Sequence, residues 1–265
     1  MTWIVGRTMP FGYAAAISDV RLTLDDDTTL DCLQKIYPVG RFLAMGFAGS
    51  LKIGARMVAR LTELLHCDDP EMAWDPTKVA EWWPAEARQT FLQFPDADIQ
   101  RGCELILLSA HPCEDIGIPQ RSRCFVHRFR APDFVAELAR PSAAIPVASE
   151  IVAIGCGVGV EHYREALQHA ETTFTHLQME VGNPGGTAFG LMTAVRAAIE
   201  HGPDSSISPY VQICIVQRGG VFIQSVNRVT FGSSVGDLVM PPLITDLTEL
   251  DQMLGGAGAI AGARC

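Results

Sequence analysis

The chain has 265 residues, of which 48% are hydrophobic and 19% charged, a composition typical of one large folded domain. Twenty basic residues against thirty acidic ones give a formal net charge of −10, which argues against nucleic acid or an anionic membrane as the main partner. The sequence contains no apolar stretch suited to a membrane span, and its N-terminus lacks the features of a secretory signal. We therefore expect a cytoplasmic protein.

Eight scattered cysteines form no Cys-x-x-Cys pair, so neither a disulfide framework nor a zinc site is predicted. His111 and Cys113 lack a second ligand pair at suitable spacing. The glycine-rich segment 155–159 follows an apolar strand but lacks the third glycine of a dinucleotide-binding turn. We predict no cofactor and no bound metal.

Strands and then helices are predicted for the first half of the chain. Short apolar runs predict strands over 3–6, 13–18, 35–39 and 42–47. Residues 23–32 are polar and acidic and predict a loop. Apolar residues at three- and four-residue steps predict an amphipathic helix over 50–66. A second helix is expected over 78–93, with Pro84 causing a kink or a late start.

The second half repeats this order of strands and helices. Strands are predicted over 104–109, 124–129 and 150–155; helices over 160–179 and 187–201; and a final hairpin over 211–217 and 221–226. Residues 131–146, with three prolines, look most like a linker. We expect one domain over 1–245 and a mobile tail over 246–265. Paired strands alternating with paired helices indicate an α+β fold in which helices cover antiparallel sheets.

The N-terminus carries the first candidate for chemistry. Thr2 stands directly behind Met1 and before an apolar strand. Removal of Met1, the only trimming we expect to be needed, would leave a threonine with a nucleophilic hydroxyl and a free α-amine. That amine has an ordinary pKa of about 7.7–8.0 and can act as a base near neutral pH. Thr2 would then hold nucleophile and base together.

Residues downstream extend this pattern. Asp19, Arg21 and Thr23 form an Asp-x-Arg-x-Thr segment, Lys35 follows sixteen residues after Asp19, and an Ala-Gly turn precedes the first helix. This order resembles the proteasome β-type subunits, including bacterial HslV and smaller bacterial proteasome-like groups. The resemblance implies a four-layer α-β-β-α sandwich of the N-terminal nucleophile hydrolase type.

The resemblance also implies roles for individual residues. Thr2 matches the nucleophile, Lys35 the neighbouring lysine that lowers the cost of forming the alkoxide, and Asp19 the acid that orients this lysine. Gly46 matches the glycine whose backbone N–H faces the oxyanion. The residues expected to contact the substrate are Arg21, Thr23, Ala44, Met45 and Ala48.

The second half matches the family pattern less well. Cys156 replaces a serine expected near the N-terminal amine, and a thiol is a poorer hydrogen-bond donor than a hydroxyl. Asp204 fits a catalytic aspartate, whereas the catalytic serine falls one place late, at Ser208. The resemblance nevertheless predicts a threonine endopeptidase acting on extended polypeptides inside stacked homo-oligomeric rings, with an ATP-driven unfoldase as a further partner. The alternatives are a catalytically weak or inactive, ring-forming scaffold and an amidohydrolase acting on small amides.

Overall fold

Antiparallel strands make up most of the structure, which is a computed structural model that describes residues 2–9, 12–24, 27–66, 75–115, 118–143, 148–169, 207–225, 243–246 and 249. The strands of the first half are β1 (Trp3–Met9), β2 (Tyr13–Asp19), β3 (Arg21–Thr23), β4 (Thr29–Asp31), β5 (Ile36–Gly40) and β6 (Leu43–Gly49). Those of the second half are β7 (Cys103–Asp115), β8 (Ile118–Arg130), β9 (Glu137–Leu138), β10 (Val152–Gly155), β11 (Val211–Gln217) and β12 (Gly220–Ser225). The helices are α1 (Leu51–Leu65), α2 (Pro76–Phe91), α3 (Asp96–Gln100) and α4, which begins at 161 and is described to 169.

The strands form two five-stranded sheets and one two-stranded sheet. The first sheet has the order β10-β1-β2-β11-β12, the second β5-β6-β7-β8-β9, and β3 pairs with β4. Their registered strand pairs are antiparallel. The predicted α+β class with antiparallel sheets is therefore confirmed. No helix in the described part of the chain is long and apolar enough to cross a membrane.

Small side chains let the two large sheets pack face to face. Ala14, Ala16 and Ala44 belong to the buried cluster between the sheets. At Gly6 an added Cβ would lie 2.8 Å from the Cδ1 of Ile106, so a larger residue would have to displace that side chain within the packed layer between the sheets. Because β2 is covered on both faces, every one of its residues is buried.

The first two helices cover the outer face of the second sheet. Ser50 caps α1 by accepting a hydrogen bond from the backbone N–H of Ile53 at 3.4 Å. Gly54 lies on the buried side of α1, where a Cβ would be 2.1 Å from the Phe47 ring. This glycine brings the helix close to β6, a gain in packing that offsets its low helix propensity.

The outer face of the first sheet has its own apolar cluster. The rings of Trp3 on β1 and Tyr163 on α4 lie 4.7 Å apart, and both residues are buried. The rest of the predicted helix 160–179, and all of the predicted helix 187–201, lie outside the described residues.

Two predicted loop regions contain strands. The segment predicted as a loop over 23–32 instead forms the end of β3 and all of β4, which pair with each other, and the Arg21 guanidinium holds both carboxylate oxygens of Asp31 across this pair. The linker-like segment 131–146 contributes β9 to the second sheet. The expectation of a late helix start at Pro84 was wrong, since α2 begins at Pro76, a residue well suited to a first helical turn.

The chain near residue 244 pairs with the segment just before Lys35. Ile244 donates to the Cys32 carbonyl at 2.6 Å and accepts from the Gln34 N–H at 3.2 Å. Residues 243–246 are therefore tied to the body of the domain next to Lys35. The tail predicted over 246–265 lies almost entirely outside the described residues and stays a prediction.

Candidate active site

Three residues far apart in the sequence meet at one end of the first sheet. Thr2 immediately precedes β1, Asp19 ends the neighbouring strand β2, and Lys35 precedes β5 of the other sheet. The Lys35 Nζ donates to the Thr2 Oγ1 at 2.8 Å and to the two Asp19 carboxylate oxygens at 3.1 and 3.0 Å. The structure thus brings together the three residues that the sequence singled out.

The Asp19 carboxylate is satisfied by backbone as well as by Lys35. Oδ1 accepts from the Trp3 N–H at 2.9 Å, and Oδ2 accepts from the Arg21 N–H at 3.0 Å. The side chains of Asp19 and Lys35 are both fully buried. A buried ion pair is tolerated when its remaining donors and acceptors are also paired, which is the case for this carboxylate. The pair fixes the lysine nitrogen against the Thr2 hydroxyl.

The backbone of Lys35 is anchored on both sides. Its carbonyl accepts from the Phe47 N–H at 3.2 Å, and its N–H donates to the Gln212 Oε1 at 3.4 Å. The same Gln212 oxygen accepts from the Ser18 hydroxyl at 3.3 Å. Gln212 lies fully buried on β11 and connects Lys35 to the strand that ends at Asp19. Sequence reasoning missed this glutamine, whose only signal is a polar residue in an apolar strand.

The main chain of Thr2 contacts the turn after β10. Its N–H donates to the Cys156 sulfur at 3.1 Å, and the thiol donates back to the Thr2 carbonyl at 3.2 Å. Cys156 as a residue is exposed, but its sulfur lies against Thr2. Partial burial of this sulfur is the main effect on the thiol and raises its pKa above the ordinary value, so it keeps its proton at neutral pH. The thiol occupies the place where the resemblance expected a serine hydroxyl.

Gly155 makes this contact sterically allowed. Its φ is +89°, and a Cβ there would lie 2.1 Å from the Thr2 carbonyl oxygen. Only glycine fits this position without displacing the backbone of the candidate nucleophile. Gly155 also pairs with Trp3 across β1 and β10.

The structure describes only one of the two catalytic residues predicted in the C-terminal half. Asp204 lies outside the described residues. Ser208 is fully buried near the start of β11, where Val211 pairs with Asp19. Its hydroxyl accepts from the Tyr210 N–H at 3.1 Å, a contact within its own turn. Among the described residues, no hydrogen bond between Ser208 and Thr2 is found.

The predicted substrate residues divide between two faces and a hairpin. On β6, Ala44 and Ala48 face the space between the sheets, whereas Met45 packs in the cluster under the helices. Arg21 uses its guanidinium to bind Asp31, with distances of 2.7 and 2.9 Å. The remaining member of the set, Thr23, is buried on β3.

The direction of backbone N–H groups on β6 separates two glycines. The Phe47 N–H donates toward β5, and the Ser50 N–H donates toward the segment before β7, to the Gly102 carbonyl. Successive N–H groups along a strand point to opposite sides, so the Gly46 N–H is directed toward β7 and the Gly49 N–H toward the β5 side. The β5 side beyond Phe47 is where Lys35 lies. Gly49 also has a φ of +100°, and a Cβ there would be 2.5 Å from the Gly102 carbonyl oxygen. Sequence reasoning missed Gly49, whose signal is the Ala-Gly turn itself.

The arrangement supplies a hydroxyl, a cation beside it and a carboxylate behind the cation. These are the parts that an activated oxygen nucleophile needs. Metal ligation has no comparable support, because no group of three or more His, Cys, Asp or Glu residues suited to a metal occurs in the described ranges.

Comparison with solved structures assigns the fold to the proteasome-like α+β class. Two similar structures are Anbu (ancestral beta-subunit) from Yersinia bercovieri and a Gly-1 mutant of Anbu from Hyphomicrobium sp. strain MC1. The first has a TM-score of 0.56 at 14% identity and covers 83% of this chain and 86% of its own. The second has a TM-score of 0.57 at 14% identity and covers 84% and 85%. These TM-scores establish a shared fold, and at 14% identity the likeness shows the fold alone.

The comparison corrects one expectation from the sequence. The motifs suggested a proteasome β-type subunit or an HslV-like bacterial homologue, but the similar structures are Anbu proteins, a proteasome-like and distinct family. The short motif around Thr2, Asp19 and Lys35 does not separate such groups from one another. The sequence matches no protein-family model, and the search of curated proteins gives no match.

Proposed function

We propose that the chain is a threonine peptidase of the N-terminal nucleophile type, acting on extended polypeptides. The observation that carries this proposal is the 2.8 Å contact between the Lys35 Nζ and the Thr2 Oγ1, with Asp19 holding the lysine. A buried ammonium beside a hydroxyl lowers the cost of forming the alkoxide. The two groups come from different sheets, so their contact requires the folded domain.

The proposed reaction starts when Met1 is removed. While Met1 is attached, the Thr2 nitrogen belongs to a peptide bond; once it is free, it is an amine with an ordinary pKa of about 7.7–8.0. The hydroxyl attacks the scissile carbonyl and the amine takes its proton, directly or through water. The product amine leaves with a proton, an acyl ester stays on Thr2, and water then hydrolyses that ester.

The oxyanion of this reaction requires a backbone donor. We assign this role to the N–H of Gly49 in preference to that of Gly46, because strand alternation directs only the former toward the side of Lys35. Substrate would lie as an added strand between β3 and the end of β6, next to Arg21, Thr23 and Ala48.

The same proposal includes the complete architecture and assembly. The helix at 161–169 and the Trp3–Tyr163 contact support a second helical layer and thus a four-layer α-β-β-α sandwich. Stacked homo-oligomeric rings, with an ATP-driven unfoldase as a partner, would enclose the sites. The fold shared with Anbu supports a proteasome-like assembly of this kind.

The decisive test combines intact mass with peptide turnover. The untagged protein should lose one methionine and cleave fluorogenic peptides, Thr2→Ala should abolish turnover, and the matched control Thr2→Ser should retain part of it. Removing a nucleophile typically lowers kcat by about 10⁴-fold or more. Unchanged cleavage by Thr2→Ala would exclude Thr2 as the nucleophile.

A second candidate is an inactive scaffold with the same fold. The thiol of Cys156 in the expected place of a hydroxyl favours it, because a thiol holds the amine less firmly. A fully retained Met1, with ring assembly but no turnover, would identify the scaffold. Turnover of small amides without dependence on peptide length, and without rings, would instead identify an amidohydrolase.

A further inference from the structure

Glu104 connects the two large sheets at the end that carries the candidate site. It lies near the start of β7, opposite Ala48 on β6 and Arg130 on β8. Its Oε2 accepts from the Gly155 N–H at 2.6 Å, and its Oε1 accepts from the Arg130 Nε at 2.9 Å. Glu104 belongs to the second sheet and Gly155 to the first, so this carboxylate ties one sheet to the other.

The tie acts on the turn that contacts Thr2. Gly155 is covalently attached to Cys156, whose sulfur contacts both the N–H and the carbonyl of Thr2. Gly155 also lies between the Thr2 carbonyl and the Ala48 methyl, which an added Cβ would meet at 2.1 and 3.4 Å. A shift of Gly155 would therefore move the thiol and the N-terminal residue together.

A restraint on Gly155 limits a residue whose backbone has many accessible conformations. Gly155 has a φ of +89°, and glycine loses more conformational freedom on folding than other residues. A hydrogen bond from its N–H to a carboxylate is charge-assisted and stronger than one to a neutral acceptor. Arg130 in turn limits the rotamers of Glu104. A continuous path of contacts thus runs from Arg130 through Glu104 and Gly155 to the Cys156–Thr2 pair.

We propose that Glu104 is a positioning residue that holds the Gly155–Cys156 turn against Thr2. Its effect on catalysis rests on the proposed peptidase function, whereas its effect on the turn does not. Without the carboxylate, the Gly155 N–H loses its acceptor and the Cys156 thiol leaves Thr2. The free α-amine of Thr2 would then lose the thiol that contacts it. This amine is the proposed base of the reaction, and it would no longer be held in position.

Alkylation of Cys156 measures the position of the turn without requiring activity. Iodoacetamide labelling at pH 7.5, followed by quantitative mass spectrometry of the Cys156 peptide, should be about tenfold faster in Glu104→Ala than in the wild type, as expected for loss of a hydrogen bond to a charged group. Glu104→Gln keeps an oxygen acceptor for Gly155 and should stay within about threefold of the wild type. The matched control is Glu137→Ala, which removes the carboxylate from the Arg128–Glu137 ion pair on the same sheet without touching β10.

Arg130→Met provides a second variant that removes only the support of Glu104. Arg130 is 42% exposed, so its replacement leaves the core intact. The labelling rate of Cys156 in this variant should lie between the rates in the wild type and in Glu104→Ala. Equal labelling rates in the wild type, Arg130→Met and Glu104→Ala would overturn the proposal, whatever the enzyme does.

Kinetics separate positioning from simple stability. In the active enzyme, Glu104→Ala should lower kcat about tenfold with less than about a twofold change in KM, since the proposed peptide contacts lie on β3 and β6. Glu104→Gln should restore most of kcat. Faster labelling combined with wild-type kcat would refute the effect of Glu104 on catalysis, and absence of turnover in the wild type would count against the peptidase function alone.

Discussion

Replacing Lys35 with methionine should destabilise the domain strongly, because it leaves the Asp19 charge buried. Both side chains of the pair are fully buried, with the Nζ 3.0 Å from the Asp19 Oδ2. Breaking such a pair typically costs about 3–5 kcal/mol. Asp19 keeps the N–H groups of Trp3 and Arg21, so we expect the lower end, about 3 kcal/mol, and a fall in Tm of about 6–12 °C.

The double variant Asp19→Asn with Lys35→Met distinguishes the buried charge from lost packing. No buried charge remains at positions 19 and 35 in this variant, so it should be more stable than Lys35→Met alone by about 2 kcal/mol. Lys78→Met is the control, because Lys78 is an exposed lysine on α2 and its replacement should cost less than about 0.5 kcal/mol.

Urea unfolding at one fixed protein concentration, followed by circular dichroism, measures five proteins: the wild type, Lys35→Met, Asp19→Asn, the double variant and Lys78→Met. A loss below about 1 kcal/mol for Lys35→Met would refute the reasoning. So would a double variant as unstable as the sum of its two single changes, since the coupling between the residues would then be zero.

Two further predictions concern the turn at Gly155 and the pH dependence of stability. Gly155→Ala should cost about 2 kcal/mol or more and abolish turnover, since its Cβ would lie 2.1 Å from the Thr2 carbonyl oxygen, whereas Gly159→Ala in the same turn meets nothing within 4 Å and should be neutral in urea unfolding and peptide assays. Equal effects of the two changes would exclude the steric explanation. Burial lowers the pKa of His127, so below its unfolded value of about 6.5 the unfolded state binds the additional proton and stability falls as the pH decreases. His127→Gln should remove this part of the loss, at most about 2 kcal/mol between pH 6.5 and 5, and an unchanged pH dependence of the free energy of unfolding would contradict it.

The sequence located the centre of the site because its residues mark strand boundaries. Thr2 and Lys35 each directly precede a strand and Asp19 ends one, and each boundary is visible where a short apolar run begins or ends. Their spacing matched a known pattern, so their meeting could be predicted without knowledge of the sheet order. The fold class followed from the order of paired strands and paired helices.

The contacts that surround this centre depend on pairing between distant strands. Glu104 looks like a charged residue at the edge of an apolar strand, and nothing in the sequence indicates that it reaches Gly155, fifty-one residues away. Gln212 looks like an ordinary polar residue within β11, although the structure places it against the Lys35 backbone. Gly46 and Gly49 are both glycines on one strand, and only the hydrogen-bond direction of β6 distinguishes them. Such facts follow from register, which a single sequence does not specify.

Stability and activity should be coupled at this site, because its parts come from both sheets. Asp19 belongs to the first sheet and Thr2 directly precedes it, whereas Glu104 belongs to the second sheet and Lys35 directly precedes it. Their contacts form only when the sheets pack across the cluster of small residues between them. A core change such as Gly6→Val, which must displace the Ile106 side chain between the sheets, should therefore lower activity at temperatures well below those that unfold the domain. The distance between the sheets then determines the geometry of the nucleophile as much as any residue that touches it.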